Sequence, residues 1–494
     1  MSLVVNPQVS PLRSPEKLFI NGSWVAPAHG HSLEIINPAT EEVYVRVASA
    51  GELDVNRAVD AARAAFDTGP WPFLSPVERG SYLTAIASEL AKRAPDVAKV
   101  WPNEMGIVYS MAERYAGGIP GIYKYYGGLA TKYPFIEERR THSGAKHGFL
   151  VREPVGVVGA IIPWNAPISL IGTKLAPALL AGCTVVLKAS PEAPSHAMIM
   201  AEIADSVGLP PGVLNVVTAD RAASAALVQH PGVDKIAFTG SSATGKSIAS
   251  VLASRMARYT MELGGKSAAI VLDDYDIETA ARSIRQTATD MAGQVCSSLT
   301  RMIVTRNRHD HLVDALSSEL SRVVVGDPFD PATHMGPLAT RRHREVVERY
   351  IAKGKADGFR LATGGRRPRH LQRGFYVEPT VFGNVDNRST IAQEEIFGPV
   401  LVVIPAESDE HAVALANDSP YGLNASVFTN DADRAWNVAR RLRTGTVGHN
   451  AMRNDFTIAF GGFKESGVGR EGGVEGLLPY LETKTVLLDG MPNI

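Results

Sequence analysis

Between residues 150 and 273, short apolar runs rich in β-branched residues alternate with stretches of helical periodicity. The runs that predict buried strands are VGVVGAII (155–162), CTVVLK (183–188), VLNVVT (213–218), KIAFTG (235–240) and AAIVLD (268–273). The stretches between them, such as 195–207 and 242–256, predict helices. Strands that alternate with helices over this length form a parallel, doubly wound sheet, because each parallel crossover is long enough to hold a helix.

A second strand–helix series begins near residue 300, with the strands MIVT, LVVIPA and SVFT and a helix near 309–323. A chain of 494 residues is long enough for two large domains or three smaller ones, so this series predicts a second α/β domain. Before both series, LFINGSWV predicts a hairpin and 52–66 predicts a helix. The C-terminal YLETKTVLL alternates like a strand without an obvious nearby partner, and such a strand often completes another sheet, including that of another subunit.

Charge and cysteine usage narrow the classes of function. Lys and Arg number 50 against 51 Asp and Glu, a balance that argues against nucleic acid or an anionic membrane as the main partner. No apolar run approaches the roughly 18 residues of a membrane-spanning helix, and the N-terminal MSLVVNPQVSPLRSPEK has no apolar core of a secretory signal. The two cysteines, Cys183 and Cys296, exclude a disulfide framework and a multi-thiolate zinc site. We therefore expect a reducing, cytoplasmic location, and no metal.

The segment GSSATGKS at 240–247 matches the phosphate-binding pattern G-x-x-x-x-G-K-[ST]. It follows a predicted strand and opens a helical stretch, as in a P-loop nucleotide hydrolase, but a strand–turn–helix junction that needs small residues explains it equally well. A more general prediction, independent of nucleotide hydrolysis, is that a phosphate or pyrophosphate binds near Ser241, because backbone N–H groups at a helix N-terminus face an anion. GVGREG at 467–472 is a literal G-x-G-x-x-G, but it neither follows a strand nor sits in a βαβ unit, so it predicts a loop.

Cys296 has small and polar neighbours in DMAGQVCSSLTR, whereas Cys183 starts an apolar strand and is expected to be inert core. Taken alone, a single cysteine is more often inert than reactive. A nucleophilic thiolate needs a base and amide donors for the oxyanion. Glu262, before the paired glycines of MELGGKS, and Asn165, in the IIPWNAP loop, are candidates for those roles. Distance along the chain does not show that the three residues meet.

With these residues identified, the chain resembles the NAD(P)-dependent aldehyde dehydrogenase superfamily over nearly its whole length. The matching segments, in family order, are FINGSWV (19–25), INPAT (36–40), PWNAP (163–167), LAPALLAGCTVVLKAS (175–190), FTGSSATGKS (238–247), MELGGKSA (261–268), GQVCSSLTR (293–301), EEIFGPV (394–400), YGLNASVFTND (421–431) and FGGFKESGVGREGG (460–473). The resemblance makes the P-loop match a coincidence, since this family holds a cofactor pyrophosphate at that turn.

The resemblance implies a Rossmann-like cofactor domain (1–131 and 152–262), a catalytic domain (263–477) and a small β element for oligomerisation (132–151 and 478–494). Homodimers or homotetramers are the assemblies that it implies. A P-loop nucleotide hydrolase, and a silent binding protein on the same fold, remain the alternatives.

The mechanism that the resemblance implies begins with attack of Cys296 on an aldehyde. The oxyanion is held by the Asn165 side chain and the Cys296 backbone N–H. Hydride leaves to the nicotinamide, and Glu262 activates a water that hydrolyses the thioester. Family members that use coenzyme A commonly lack this glutamate, so hydrolysis is expected.

The cofactor implied is NAD. NADP is also possible, because Pro191 stands where many NAD-preferring members have a glutamate. Glu192 follows Pro191, and a carboxylate near the ribose 2′-hydroxyl would repel the 2′-phosphate of NADP. The residues that the resemblance assigns to cofactor binding are Trp164, Lys188, Glu192, Gly240, Ser241, Gly245, Leu263, Glu395 and Phe397.

The substrate tunnel departs from the bulky, aromatic residues that are frequent in the family. The positions concerned are Ala166, Ser169, Leu170, Thr173, Val295 and Ser297. Small residues widen a tunnel, which predicts a bulky or branched aldehyde. Arg453, in a loop expected at the tunnel mouth, is a candidate partner for a substrate carboxylate, but a solvent-exposed loop arginine explains it more simply. The same applies to Lys174, which resembles a lysine near the active site of the family.

Overall fold

The computed structural model describes residues 9–493, so part of the N-terminal segment examined for a secretory signal lies outside the described residues. Its strands are β1 (Leu18–Ile20), β2 (Ser23–Val25), β3 (Ser32–Ile36), β4 (Val43–Ala48), β5 (Ile136–Arg139), β6 (His147–Pro154), β7 (Val157–Ile161), β8 (Thr184–Ala189), β9 (Leu214–Thr218), β10 (Lys235–Thr239), β11 (Arg258–Glu262), β12 (Ser267–Val271), β13 (Leu299–Thr305), β14 (Arg360–Thr363), β15 (Thr380–Gly383), β16 (Val400–Ala406), β17 (Asn424–Phe428), β18 (Thr446–His449), β19 (Gly467–Val468) and β20 (Leu481–Leu488).

The α-helices lie between these strands, as the sequence pattern predicts. They are α1 (Glu52–Asp67), α2 (Pro76–Met105), α3 (Tyr109–Gly118), α4 (Pro120–Leu129), α5 (Pro167–Ala181), α6 (Ser195–Ser206), α7 (Arg221–Gln229), α8 (Ser242–Ala253), α9 (Ile277–Thr289), α10 (Arg306–Ser321), α11 (Arg341–Ala356), α12 (Thr390–Gln393), α13 (Asp409–Asn417) and α14 (Ala432–Ala439).

The first sheet has the strand order β19-β11-β10-β7-β8-β9-β1-β2. Strands β7 to β11 are parallel, and β1 and β2 form the predicted hairpin at one edge. Alternate residues of β7 join apolar clusters on opposite faces: Val158 and Ala160 pack on one side, Val157 and Ile161 on the other. A sheet that is buried on both faces by helices is the doubly wound arrangement predicted from the sequence.

The second sheet has the order β14-β15-β16-β13-β12-β17-β18 and is parallel except for β14. The chain passes from the first sheet to the second through the short segment 263–266, because β11 ends at Glu262 and β12 begins at Ser267. The carboxyl ends of the first sheet therefore face the amino ends of the second. Polar side chains from both sheets meet along this boundary.

The third sheet contains the C-terminal strand predicted from YLETKTVLL, which completes a sheet as expected. β20 pairs antiparallel with β6 of its own chain, from Leu481 opposite Pro154 to Leu488 opposite His147, and β5 follows in the order β20-β6-β5. The strand therefore has a partner within the chain.

The prediction that GVGREG (467–472) forms a loop is wrong for its first two residues. They form β19, which pairs with β11 at the edge of the first sheet. A Cβ atom at Gly467 would lie 2.3 Å from the carbonyl oxygen of Met261. Glycine is needed at this position because the two backbones approach so closely.

Across residues 9–493, none of the helices combines the length and the apolar character needed to cross a membrane. Within the same range, no three His, Cys, Asp or Glu side chains are grouped so that they could hold a metal ion.

Arg301 on β13 ties the second sheet to the segment that leads into it. Its fully buried guanidinium donates to the carbonyl oxygens of Lys266, Leu415 and Ala416 and to Asn387 Oδ1, at 2.8–2.9 Å. A side chain that satisfies four buried acceptors is costly to remove, because each acceptor left without a donor keeps its desolvation penalty.

We expect Arg301→Met to lower the thermal unfolding midpoint by roughly 5 °C or more, measured by circular dichroism. Arg306→Met is the matched control, because Arg306 bonds Glu407 at the surface, where ion pairs contribute little. Equal midpoints for the two variants would contradict the structural role of the buried arginine.

Candidate active site

Cys296 follows a loop with an unusual backbone. Met291, Ala292 and Gly293 all have left-handed φ angles, of 48°, 54° and 74°. A Cβ atom at Gly293 would lie 2.5 Å from the carbonyl carbon of Gly398, so this loop packs directly on the segment after α12. Strained backbone of this kind persists only where the surroundings hold it, and it is frequent at functional sites. The loop presents Cys296 to a cavity of about 560 Å³.

Asn165 lines the same cavity, from the loop between β7 and α5. Its side-chain Nδ2 donates to the carbonyl oxygen of Gln294 at 3.0 Å, and its own carbonyl accepts from Trp101 Nε1 at 2.9 Å. The amide nitrogen carries two protons, so a second donor remains after the bond to Gln294. This arrangement fixes an amide donor beside the residues that lead into Cys296.

Glu262 ends β11, and its carboxylate is buried beside that cavity. Its side chain is 3% exposed, and neither carboxylate oxygen has a hydrogen-bond partner among the described residues. The absence of a side chain at Gly461 leaves space for the Glu262 carboxylate, since a Cβ atom at Gly461 would lie 2.7 Å from Glu262 Oε1. Burial, and then the charge of Glu471, raise the pKa of Glu262 well above its ordinary value. A carboxylate with a raised pKa is a stronger base when it ionises.

A buried ion pair lies next to Glu262. Lys174 Nζ on α5 donates to Glu471 and to Thr239 Oγ1, and Thr173 Oγ1 donates to Glu471 Oε2 at 2.8 Å. The charge of Lys174 favours the ionised form of Glu262, whereas that of Glu471 opposes it. Thr173 was expected to line the tunnel. That expectation is wrong, because its hydroxyl is fully buried on Glu471.

The paired glycines 264 and 265 bring three functional segments into contact. A Cβ atom at Gly264 would lie 2.2 Å from Glu395 Oε2, and one at Gly265 would lie 2.3 Å from the carbonyl oxygen of Cys296. The backbone N–H of Gly265 donates to Glu395 Oε1 at 2.9 Å. The sequence predicts close backbone approach here, and the structure has it.

The charges of two carboxylates, Glu395 and Glu262, act on the thiol of Cys296. Burial, followed by the charges of Glu395 and Glu262, raises the pKa of the thiol to about 12. The backbone N–H groups of Cys296 and Ser297 act in the opposite direction. The thiol is therefore protonated at neutral pH unless a base takes its proton.

Most of the predicted cofactor residues line the cavity that contains Cys296. They are Trp164, Gly240, Ser241, Leu263, Glu395 and Phe397. Trp164 and Phe397 meet edge to face with ring centroids 5.5 Å apart. Burial, opposed by Gly265 and Lys266, raises the pKa of Glu395 to about 7. The glycine–serine turn between β10 and α8 thus faces the same space as the candidate nucleophile.

The other predicted cofactor residues lie elsewhere. A Cβ atom at Gly245 would lie 2.6 Å from Leu263 Cδ2, so Gly245 lets α8 pack closely on that residue. Lys188 belongs to the end of β8, where burial lowers the pKa of its ammonium to about 8 and the charge of Glu192 opposes that shift. The Ser190 hydroxyl donates to Glu192. The contribution of these three positions to cofactor binding stays a prediction.

The lysine of the P-loop pattern is placed away from the start of α8. Lys246 Nζ pairs with Glu465 at 2.9 Å on the protein surface. Ser241 caps the helix by accepting from the Thr244 backbone N–H at 3.3 Å.

The cavity wall has both expected and unexpected members. The small or aliphatic residues predicted to line it are present, namely Ala166, Ser169, Leu170, Val295 and Ser297. Sequence reasoning missed Tyr115 on α3 and Asp290, as well as Phe456 and Phe460. The segment NAMRNDF, which includes Phe456, was predicted to form a loop at the tunnel mouth. Tyr115 and Asp290 belong to no recognisable motif. Arg453 is exposed, while its neighbours Met452 and Asn454 line the cavity.

We expect Glu395→Gln to make Cys296 more reactive toward iodoacetamide, because removing a nearby negative charge lowers the pKa of the thiol. The alkylation rate should rise roughly threefold or more at about pH 9. The gain should vanish below about pH 6, where wild-type Glu395, with a pKa of about 7, is already neutral.

Glu394→Gln is the matched control, because this adjacent carboxylate is exposed and accepts from the Tyr350 hydroxyl. Cys296→Ala supplies the background from Cys183. A gain that is constant with pH, or equal in the control, would show that Glu395 does not set the thiol pKa.

The comparisons with known proteins agree on one family. Residues 24–486 match the model of the aldehyde dehydrogenase family. A geranial dehydrogenase of Castellaniella defragrans is 43% identical over 476 residues, which make up 96% of this chain and 99% of that protein.

Solved structures have the same fold over the same length. An aldehyde dehydrogenase of Mycobacterium tuberculosis complexed with NAD+ has a TM-score of 0.93 at 45% identity, covering 96% of this chain and 98% of that one. A betaine aldehyde dehydrogenase of Staphylococcus aureus in complex with NAD+ has a TM-score of 0.95 at 35% identity, covering 98% and 96%. With its fold, its candidate nucleophile and its motifs in family order, the chain belongs to the aldehyde dehydrogenase family.

Proposed function

We propose that the protein oxidises an aldehyde to the carboxylic acid with NAD+, through a thioester on Cys296 that water hydrolyses. The observation that carries this proposal is the convergence at one boundary of a cysteine, a fixed amide donor and a buried carboxylate without a hydrogen-bond partner. These are the nucleophile, the oxyanion donor and the base that acyl chemistry needs. The family match favours this chemistry over nucleotide hydrolysis and over a silent binding role.

The residues present fit a dinucleotide. The turn at Gly240 and Ser241 opens α8, and backbone N–H groups at a helix N-terminus favour a pyrophosphate. Glu395 and Phe397 would hold the nicotinamide ribose, and Lys188 the adenine ribose. When bound, NAD+ supplies an oxidised nicotinamide ring, the acceptor for hydride. The two solved relatives described above were both determined with NAD+.

The first half of the reaction forms the thioester. The Cys296 thiol gives up its proton to solvent, and its sulfur attacks the carbonyl carbon of the aldehyde. The oxyanion that results accepts from Asn165 Nδ2 and from the Cys296 backbone N–H. Hydride then leaves this carbon and the C=O bond re-forms, which leaves an acyl group on the sulfur.

The second half releases the acid. Glu262 takes a proton from a water molecule while the water oxygen attacks the thioester carbonyl, and the Cys296 sulfur leaves as a thiolate. Lys174 supports this step, because its charge favours the ionised form of Glu262. A carboxylate at this position fits water rather than coenzyme A as the acyl acceptor.

We also propose a bulky or branched aldehyde as the substrate. The small and aliphatic residues of the cavity wall leave room that large side chains would fill, and the related geranial dehydrogenase is named for a branched aldehyde. We further propose a cytoplasmic homodimer or homotetramer that assembles through the β20-β6-β5 sheet. In this proposal 1–131 and 152–262 form the cofactor domain, 263–477 the catalytic domain, and 132–151 and 478–494 the oligomerisation element.

The test of this function is NADH formation from a panel of aldehydes without coenzyme A, followed at the absorbance of the reduced nicotinamide. Cys296→Ala should abolish it. Glu262→Gln should release about one NADH per active site in a burst and then turn over roughly 10²-fold more slowly, because acylation continues while hydrolysis fails. A wild-type protein that needs coenzyme A, or a Cys296→Ala variant with full activity, would overturn the mechanism.

We expect NAD+ to be preferred over NADP+ through Glu192, whose carboxylate lies near Lys188 and would repel a 2′-phosphate. Glu192→Gln should reduce the ratio of kcat/KM for NAD+ to that for NADP+ by roughly tenfold, through the NADP+ value. An unchanged ratio would place the discrimination at another residue.

A further inference from the structure

We infer that Asp290 is a specificity-determining residue, which binds a hydroxyl group on the aldehyde at a distance from its reacting carbonyl. This inference rests on the proposed function and names the chemical class of substrate that the cavity favours. The class is a bulky aldehyde that carries a hydroxyl, in preference to a purely apolar aldehyde and to one that carries a carboxylate.

The first observation is a half-satisfied carboxyl group. Asp290 is 6% exposed, and its Oδ2 accepts from the Tyr115 hydroxyl at 2.5 Å. Its Oδ1 has no hydrogen-bond partner among the described residues. A buried polar atom without a partner costs free energy, so such an atom in a functional cavity indicates a group that a ligand completes.

The second observation is the place of this carboxyl group. Asp290 and Tyr115 line the same cavity as Cys296, and much of the surrounding wall is apolar. Its apolar members include Leu170, Met291, Val295, Phe456 and Phe460. Asp290 also begins the left-handed turn that leads to Cys296, so the backbone that presents the nucleophile also presents this carboxyl. A polar anchor on such a wall fixes the orientation of a bound molecule.

The third observation is the charge state of Asp290, which favours a hydroxyl over an ammonium group as the bound substituent. Burial raises the pKa of Asp290, against the opposing effects of Tyr115 and of the Arg114 charge on α3. A hydroxyl both donates and accepts, so it can pair with Oδ1 whether or not that oxygen is protonated. An ammonium group only donates, and its charge is compensated only when Asp290 is ionised. A carboxylate meets like charge when Asp290 is ionised.

The test compares aldehydes of matched chain length that end in a methyl, a hydroxymethyl or a carboxylate group. NADH formation gives kcat/KM for each. We expect the wild-type protein to favour the hydroxyaldehyde over the plain alkanal by roughly tenfold. Asp290→Leu, which is close in size and apolar, should remove or invert that preference while it retains activity on the alkanal.

Two variants keep the test decisive if the leucine variant folds poorly. Asp290→Asn retains an acceptor oxygen and should keep part of the preference, and Tyr115→Phe retains the carboxyl and should keep all of it. Asp310→Asn, at an exposed position on α10, is the control that should leave the preference unchanged. Thermal unfolding midpoints show which variants are folded.

The outcomes separate this inference from the proposed function. Activity of the folded Asp290 variants with an unchanged ratio between hydroxyaldehyde and alkanal would overturn the inference and leave the proposed function standing. A wild-type preference for the carboxylate-bearing aldehyde would overturn it as well. A wild-type protein that forms no NADH from any aldehyde would overturn the proposed function, and the inference with it.

Discussion

The close approach of Gly264 and Gly265 to two other segments is the constraint on which the site depends. Side-chain carbons at these positions would lie 2.2 Å from the Glu395 carboxyl and 2.3 Å from the carbonyl oxygen of Cys296. The glycines lie between β11, the last of the parallel strands in the first sheet, and β12, which belongs to the second sheet. Because they have no side chains, the cysteine loop, the Glu395 segment and the end of β11 share one small space. Any larger residue would separate the nucleophile from its neighbours.

The close packing of these segments also shifts the pKa values of the titratable groups in the site. Burial raises the pKa of Cys296, of Glu262 and of Glu395, so the neutral form of each group is favoured in the free protein. The two carboxylates reinforce the shift of the thiol, whereas Lys174 favours ionisation of Glu262. A site of this kind holds its protons until a reaction step removes them. Hydrolysis of a thioester needs a base that removes a proton from water, and burial gives Glu262 the raised pKa that suits this role.

The sequence predicts more of the scaffold than of the pocket. Strand–helix alternation predicts two α/β units, because periodicity follows burial, but it groups AAIVLD (268–273) with the first series, whereas β12 belongs to the second sheet. Asn165 was identifiable because motifs in family order mark its loop. What periodicity does not contain is the lateral contact between distant segments. The sequence pattern missed the pairing of Gly467–Val468 with a sheet edge. The family resemblance placed Thr173 in the tunnel, although its hydroxyl binds a buried carboxylate. Tyr115 and Asp290 meet across 175 residues of chain, and no local pattern marks either.

In the proposed mechanism, the acyl group of the substrate forms a thioester with Cys296, and water activated by Glu262 hydrolyses this thioester. The most direct measurement is the mass of the Glu262→Gln protein after incubation with NAD+ and an accepted aldehyde, followed by peptide mapping. We expect an added acyl mass on the peptide that contains Cys296 and none on the peptide that contains Cys183, and hydroxylamine should release this mass. An unmodified Cys296 peptide in a variant that has already formed NADH would contradict it.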